Sequence, residues 1–171
     1  MRLLQSLHNC DLYTFDWCLR RRHLVQLVGA SRWVSKSADG HVYAITALIC
    51  LGMQEYSFAT LLVTALLVER CLYFVLKKHF RRNRPPEAIP GFRSVVTPSD
   101  QFSFPSGHTS AAFLFVTLVV STEPNLAWLL YPWAMSVGMS RVLLGVHFPT
   151  DTIAGATLGT SIALTTMNYL G

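Results

Sequence analysis

Residues 57–77 read SFATLLVTALLVERCLYFVLK, with the adjacent Glu69 and Arg70 as the only charges before Lys77 closes the run. A helix of this length rises about 30 Å, the thickness of a bilayer's hydrocarbon core. Working outward, a shorter apolar run occupies residues 41–54, set off by Gly52 to Tyr56. Toward the C-terminus three more runs follow at about 106–121, 126–144 and 150–170, divided by Glu123-Pro124-Asn125 and by Pro149. Each is hydrophobic around most of its circumference, the pattern of a helix buried on all sides. The expected fold is all-α: a multi-pass transmembrane helix bundle of about five spans, or six.

Composition agrees with that solvent. Of 171 residues, 51% are hydrophobic, and the mean hydropathy of +0.37 is high for a soluble domain. Fourteen Lys and Arg outnumber nine Asp and Glu. That surplus suits anionic headgroups or a phosphate-bearing substrate, and the hydropathy makes nucleic acid the weakest partner. Membrane lipids are the expected surroundings; oligomeric state is not legible. Cys10, Cys18, Cys50 and Cys71 show no CxxC spacing and read as free thiols.

Residues 1–40 are too polar to span. Leu3, Leu4 and Leu7, then Leu12, Phe15 and Leu19, recur at helical spacing beside Arg20 to His23, which predicts an amphipathic segment on the membrane surface or packed on the bundle. Arg2, His8, Asp11 and Asp16 interrupt any signal-peptide core. The chain therefore divides into an amphipathic segment, 1–40, and a transmembrane domain, 41–171.

The remaining polar residues concentrate in two loops. One begins Lys77-Lys78-His79-Phe80-Arg81-Arg82-Asn83-Arg84-Pro85 and ends Phe104-Pro105-Ser106-Gly107-His108; the other runs from Ser140-Arg141 through Gly145-Val146-His147-Phe148-Pro149-Thr150-Asp151. With alternating spans both fall on one side of the membrane, and ionisable groups at such positions point to function. Lys77, Arg84 and Arg141 supply fixed positive charge, arginine's fork matching paired phosphate oxygens. Ser106 and Gly107 stand where a helix begins, a place that favours anions. His147 precedes Pro149, which is well placed to start a helix and so puts Asp151 in its first turn. Asp151 can orient the His147 ring, leaving the other nitrogen nucleophilic, and His108 is placed to exchange protons. Three strong cations beside these groups oppose a divalent metal and favour an oxyanion.

These strings are similar, in order and spacing, to the signature of the type 2 phosphatidic acid phosphatase family: Lys, six residues, Arg-Pro; Pro-Ser-Gly-His; and Ser-Arg, five residues, His, three residues, Asp. The resemblance covers residues 41–170. It implies an integral-membrane enzyme that hydrolyses a lipid phosphomonoester or diphosphate, such as phosphatidic acid, phosphatidylglycerol phosphate or a polyprenyl (undecaprenyl) phosphate or diphosphate. It implies His147 as nucleophile forming a phosphohistidine, His108 as acid and then base, Asp151 as orienting group, and Lys77, Arg84, Ser106, Gly107 and Arg141 as phosphate ligands, with no metal and no cofactor. The alternatives are lipid-to-lipid phosphotransfer and a non-catalytic lipid-phosphate binder or transporter. Lys78, Arg81, Arg82 and Arg93 read equally as lipid guides or headgroup contacts, and Glu69-Arg70 as a structural pair inside the bundle.

Two expectations about orientation conflict. If residues 41–77 form a hairpin, nearly every Lys and Arg lies on the active-site face, which the positive-inside rule assigns to the cytoplasm. The family's habit implies a periplasmic or extracytoplasmic site in a bacterial inner or plasma membrane.

Overall fold

The computed structural model describes residues 10–16, 18, 24–98 and 100–170. Expectations placed on Leu3, Leu4, Leu7, Leu19 and Arg20 to His23 lie outside the described residues. In chain order the elements are α1 (residues 10–16), α2 (Leu24–Lys36), α3 (Gly40–Gly52), α4 (Tyr56–Phe80), the single turn α5 (Pro85–Ala88), α6 (Gly107–Thr122), α7 (Ala127–Leu143) and α8 (Pro149–Leu170). No strand occurs among the described residues. One 3-10 turn, Pro124–Leu126, joins α6 to α7.

The five helices expected from the apolar runs are α3, α4, α6, α7 and α8, each within a few residues of the sequence boundaries. Their ends follow local chemistry. Pro149 opens α8, where its fixed φ and missing N–H cost nothing, and α4 stops at Arg81, which turns into the left-handed region with φ 45°. Pro132 lies inside α7.

α6 is the central helix, packed against α4, α7 and α8. Its approach to α8 is close enough that a Cβ on Gly159 would sit 2.0 Å from the carbonyl oxygen of Ser110, and one on Gly155 2.5 Å from that of Ser106. Glycine is required there because backbone meets backbone. Leu62, Leu114, Leu118, Ile162 and Ala163 fill the interior at the far end from the loops.

Several ionisable groups lie inside the bundle and many large apolar side chains lie on its outer surface. Glu69, Lys77, Arg84, Ser110, Arg141 and Asp151 are buried, while Leu48 and Ile49 on α3, Leu67, Phe74 and Val75 on α4, Met135 on α7 and Ile153 and Leu164 on α8 are exposed. An outer surface of this kind calls for an apolar covering. Among the described residues one helix, α4 with its continuation (Tyr56–Ala88), is both long and apolar enough to cross a membrane by itself; α6 is apolar but shorter.

The N-terminal helices lie at the loop end of the bundle. Phe15 of α1 is buried edge-on against Phe92 and Phe148, with centroids 5.2 and 5.6 Å away. α2 packs along α7, burying Ser31 and Ser35 and exposing Val25 and Trp33.

Candidate active site

The two polar loops meet. Val95 N–H donates to Leu144 O (3.0 Å) and Ser106 N–H to Asp151 O (3.0 Å), tying the α5–α6 loop to the α7–α8 loop. Gly145 makes the second loop possible: its φ is +75°, and a Cβ there would meet the Phe92 ring at 2.7 Å. The reversal at Gly145 drives Val146, His147 and Phe148 inward, all buried.

His147 is 3% exposed. Its Nε2 lies 3.3 Å from Nη1 of Arg84. A guanidinium has no acceptor, so Nε2 must present its lone pair and the ring proton belongs on Nδ1. Nδ1 faces Asp151 Oδ2 at 3.8 Å, too long for a hydrogen bond, and has no other partner. The Asp151 carboxylate is held from the opposite side: Oδ2 accepts from Phe148 N–H (2.8 Å) and Oδ1 from Arg82 Nη1 (2.7 Å). Burial pushes the His147 ring down to about 4, with Arg84 and Arg141 adding to the shift against the opposing pull of Asp151. Its resting form is the neutral imidazole.

Lys77 and Arg84 come together around a residue the sequence did not single out. The Asp100 carboxylate accepts from Lys77 Nζ and, through the same Oδ1, from Arg84 Nη2 (2.6 Å), while Oδ2 accepts from Tyr73 OH (2.6 Å). Burial favours the acid form of Asp100, but hydrogen bonds from Lys77, Tyr73 and Arg84 outweigh it and hold the carboxyl at about 2. Arg84 is further fixed by Nε to Asp100 O (3.0 Å) and Nη1 to Val146 O (2.6 Å).

Ser106 and Gly107 begin α6 as expected, and each makes a contact within the bundle. The Ser106 hydroxyl pairs with Thr109 Oγ1 at 2.9 Å, and Gly107 leaves room for the Tyr73 ring, which a Cβ would meet at 2.7 Å. His108, one residue further, points Nε2 at Asp39 Oδ1 (3.0 Å). Arg141, on the last turn of α7, donates Nη1 to Ser35 Oγ (2.5 Å) and keeps a buried Nε with no partner. His108 and Arg141 line one cavity of about 780 Å³.

Of the four undecided cations, Arg82 belongs to this centre. It bridges Asp151 and Asp11 and lies over the Phe148 ring at 4.5 Å. Asp11 in turn caps the start of α8 through Thr150 N–H (3.0 Å). Lys78, Arg81 and Arg93 are exposed. Glu69 is fully buried, its carboxylate 3.3 Å from Arg70 Nη2. Asp39, Asp100 and Arg82 went unassigned because their partners lie 16 to 71 residues away in the chain. The available signal was acidity: Asp100 and Glu87 are the acids in an otherwise basic loop.

The PAP2 superfamily model matches residues 58–171, the stretch carrying all three motifs. The chain belongs to the PAP2 superfamily. Among its relatives is an undecaprenyl-diphosphatase of Sulfolobus acidocaldarius, 30% identical over 143 residues, covering 82% of this chain and 69% of the relative. The LpxE protein of Aquifex aeolicus has a crystal structure similar to this PAP2 chain with a TM-score of 0.83 at 26% identity, covering 92% of this chain and 94% of the other. The transmembrane PAP2 type phosphatidylglycerolphosphate phosphatase of Bacillus subtilis is similar with a TM-score of 0.79 at 26% identity, covering 96% and 86%. The chain spans about half the length of several other curated relatives it matches.

Proposed function

We propose that this PAP2 chain is a multi-pass membrane phosphatase that hydrolyses a lipid phosphate through a phosphohistidine on His147. The observation that carries the reading is the His147 ring: buried, neutral, its Nε2 lone pair turned to Arg84 and its Nδ1 toward Asp151. A neutral imidazole backed by a carboxylate and faced by guanidinium donors is equipped to attack phosphorus.

In this reading α3, α4, α6, α7 and α8 are the spanning helices, and their exposed apolar side chains contact lipid. The substrate's phosphate enters beside Nε2, and its oxygens replace the Asp100 carboxylate on Lys77 and Arg84, with Arg141 as a third cation and the Ser106–Gly107 end of α6 completing the cradle. Nε2 attacks phosphorus as the ester or anhydride P–O bond breaks, and His108 gives its proton to the departing oxygen. The imidazolium that forms is stabilised by Asp151, the 3.8 Å gap closing as positive charge develops. His108, now neutral, takes a proton from water, whose oxygen cleaves the P–N bond and releases phosphate.

The test is a phosphate-release panel on purified protein in detergent, using phosphatidic acid, phosphatidylglycerol phosphate and polyprenyl mono- and diphosphates, each with and without chelator. Release from at least one lipid, undiminished by chelator and lost in His147→Ala, is expected. Binding of these lipids without release would favour a carrier over an enzyme, and label retained on a second lipid would indicate transfer.

A further inference from the structure

Within that cavity of about 780 Å³, two cations stand that no motif contains: Arg32 and Lys36 of α2. They sit one helical turn apart and so share a face. Both are exposed. Arg32 makes one long contact, Nη2 to Val95 O at 3.4 Å, and Lys36 lies over the Trp33 ring at 5.6 Å. The acid in the lining, Asp39, is already paired with His108. Charge in the cavity is therefore positive on balance, from Arg32, Lys36 and Arg141.

The position of the cavity relative to the two histidines gives these charges a meaning, one that rests on the phosphatase reading above. His108 lines the cavity and His147 does not. In an in-line displacement the leaving group departs on the side away from the nucleophile, toward the group that protonates it. The cavity is thus the leaving-group side. A volume in this range holds far more than one phosphate.

We infer that Arg32 and Lys36 form a subsite for a second phosphate carried by the leaving group, which makes the preferred substrate a lipid diphosphate rather than a monophosphate. Nε2 of His147 attacks the terminal phosphorus and the bond from that phosphorus to the bridging oxygen breaks. The lipid monophosphate leaves with the bridging oxygen and its electron pair, taking a proton from His108, while its remaining phosphate rests on Arg32 and Lys36. Arg141 stands between the two phosphates, its unpaired Nε available to an oxygen of either.

The experiment compares kcat/KM for a polyprenyl diphosphate and the monophosphate of the same tail, in the same detergent. Three proteins are used: wild type, the Arg32→Ala/Lys36→Ala double variant, and the charge-preserving Arg32→Lys/Lys36→Arg variant. Both residues are on the exposed face of α2, and gel filtration and a thermal melt check that the fold is kept. Wild type is expected to favour the diphosphate. The ratio of diphosphate to monophosphate kcat/KM should fall about tenfold in the alanine variant, the scale of losing charge-assisted contacts to phosphate, and recover in the charge-preserving one. A ratio unchanged by the alanine pair, or a wild type that favours the monophosphate, overturns the subsite while leaving the phosphatase reading intact. Release from neither polyprenyl lipid overturns the subsite as well, and the phosphatase reading falls with it only if no other lipid of the panel above releases phosphate.

Discussion

Replacing Asp151 by Asn separates what that carboxylate does for the fold from what it does for His147. Asp151 is fully buried, and its two oxygens accept from Phe148 N–H and from Arg82. An Asn has one acceptor and one donor end, so one of those two donors must face an NH2. Losing a hydrogen bond to a charged partner costs about 1.5–3 kcal/mol, a loss the fold bears partly because Arg82 keeps Asp11. The effect on catalysis should be larger. Without the carboxylate, nothing beside Nδ1 stabilises the imidazolium or fixes the tautomer, and comparable carboxylate–imidazole pairs lose about 10⁴ in kcat on this change. At 1.36 kcal/mol per decade that is about 5.4 kcal/mol of barrier. Single-turnover phosphate release should therefore fall by three to four orders of magnitude, while lipid binding, read by ligand-dependent thermal shift, changes less than about tenfold. An Asp151→Asn protein that is folded and retains a tenth of wild-type turnover would refute the orienting role.

Gly159→Ala places a Cβ 2.0 Å from Ser110 O, where an ordinary C···O contact is about 3.3 Å or more; α6 and α8 must part, and a loss of about 1–3 kcal/mol should appear as a lower melting temperature, with an unchanged melt contradicting the packing. The imidazolium of His147 is penalised by burial, so its pKa lies below the usual 6.5 and the ring should stay neutral as pH falls from 7 to 5, gaining its proton only near 4. Imidazole 15N shifts, assigned with His147→Asn, test this, and titration near 6.5 would contradict it. Asp100→Asn removes the negative charge shared by Lys77 and Arg84. Inorganic phosphate should then inhibit about tenfold more tightly, whereas weaker inhibition would mean that Asp100 holds the two cations in place rather than competing for them.

The helices were legible because one-dimensional signals define them: apolar runs of near-span length, Ser106 and Pro149 at helix starts, Pro124 in a turn. α2 left no such mark, since its exposed face mixes Val25, Leu27 and Trp33 with Arg32 and Lys36, and its buried side is made by Ser31 and Ser35. At the site, the motif spacing identified the groups that gather, but not what holds them. Asp39 on His108, Asp100 between Lys77 and Arg84, and Arg82 behind Asp151 are contacts between distant parts of the chain, which no periodicity encodes. The Ser106 hydroxyl went the other way: its type fits a phosphate ligand, yet in the folded chain it turns to Thr109.

The central claim is the covalent bond from phosphorus to His147. Incubation with a 32P-labelled lipid phosphate, a rapid denaturing quench and peptide mapping should find an acid-labile, base-stable label on the peptide containing His147, absent from His147→Ala. Label on His108, or full turnover by His147→Ala, would contradict the account.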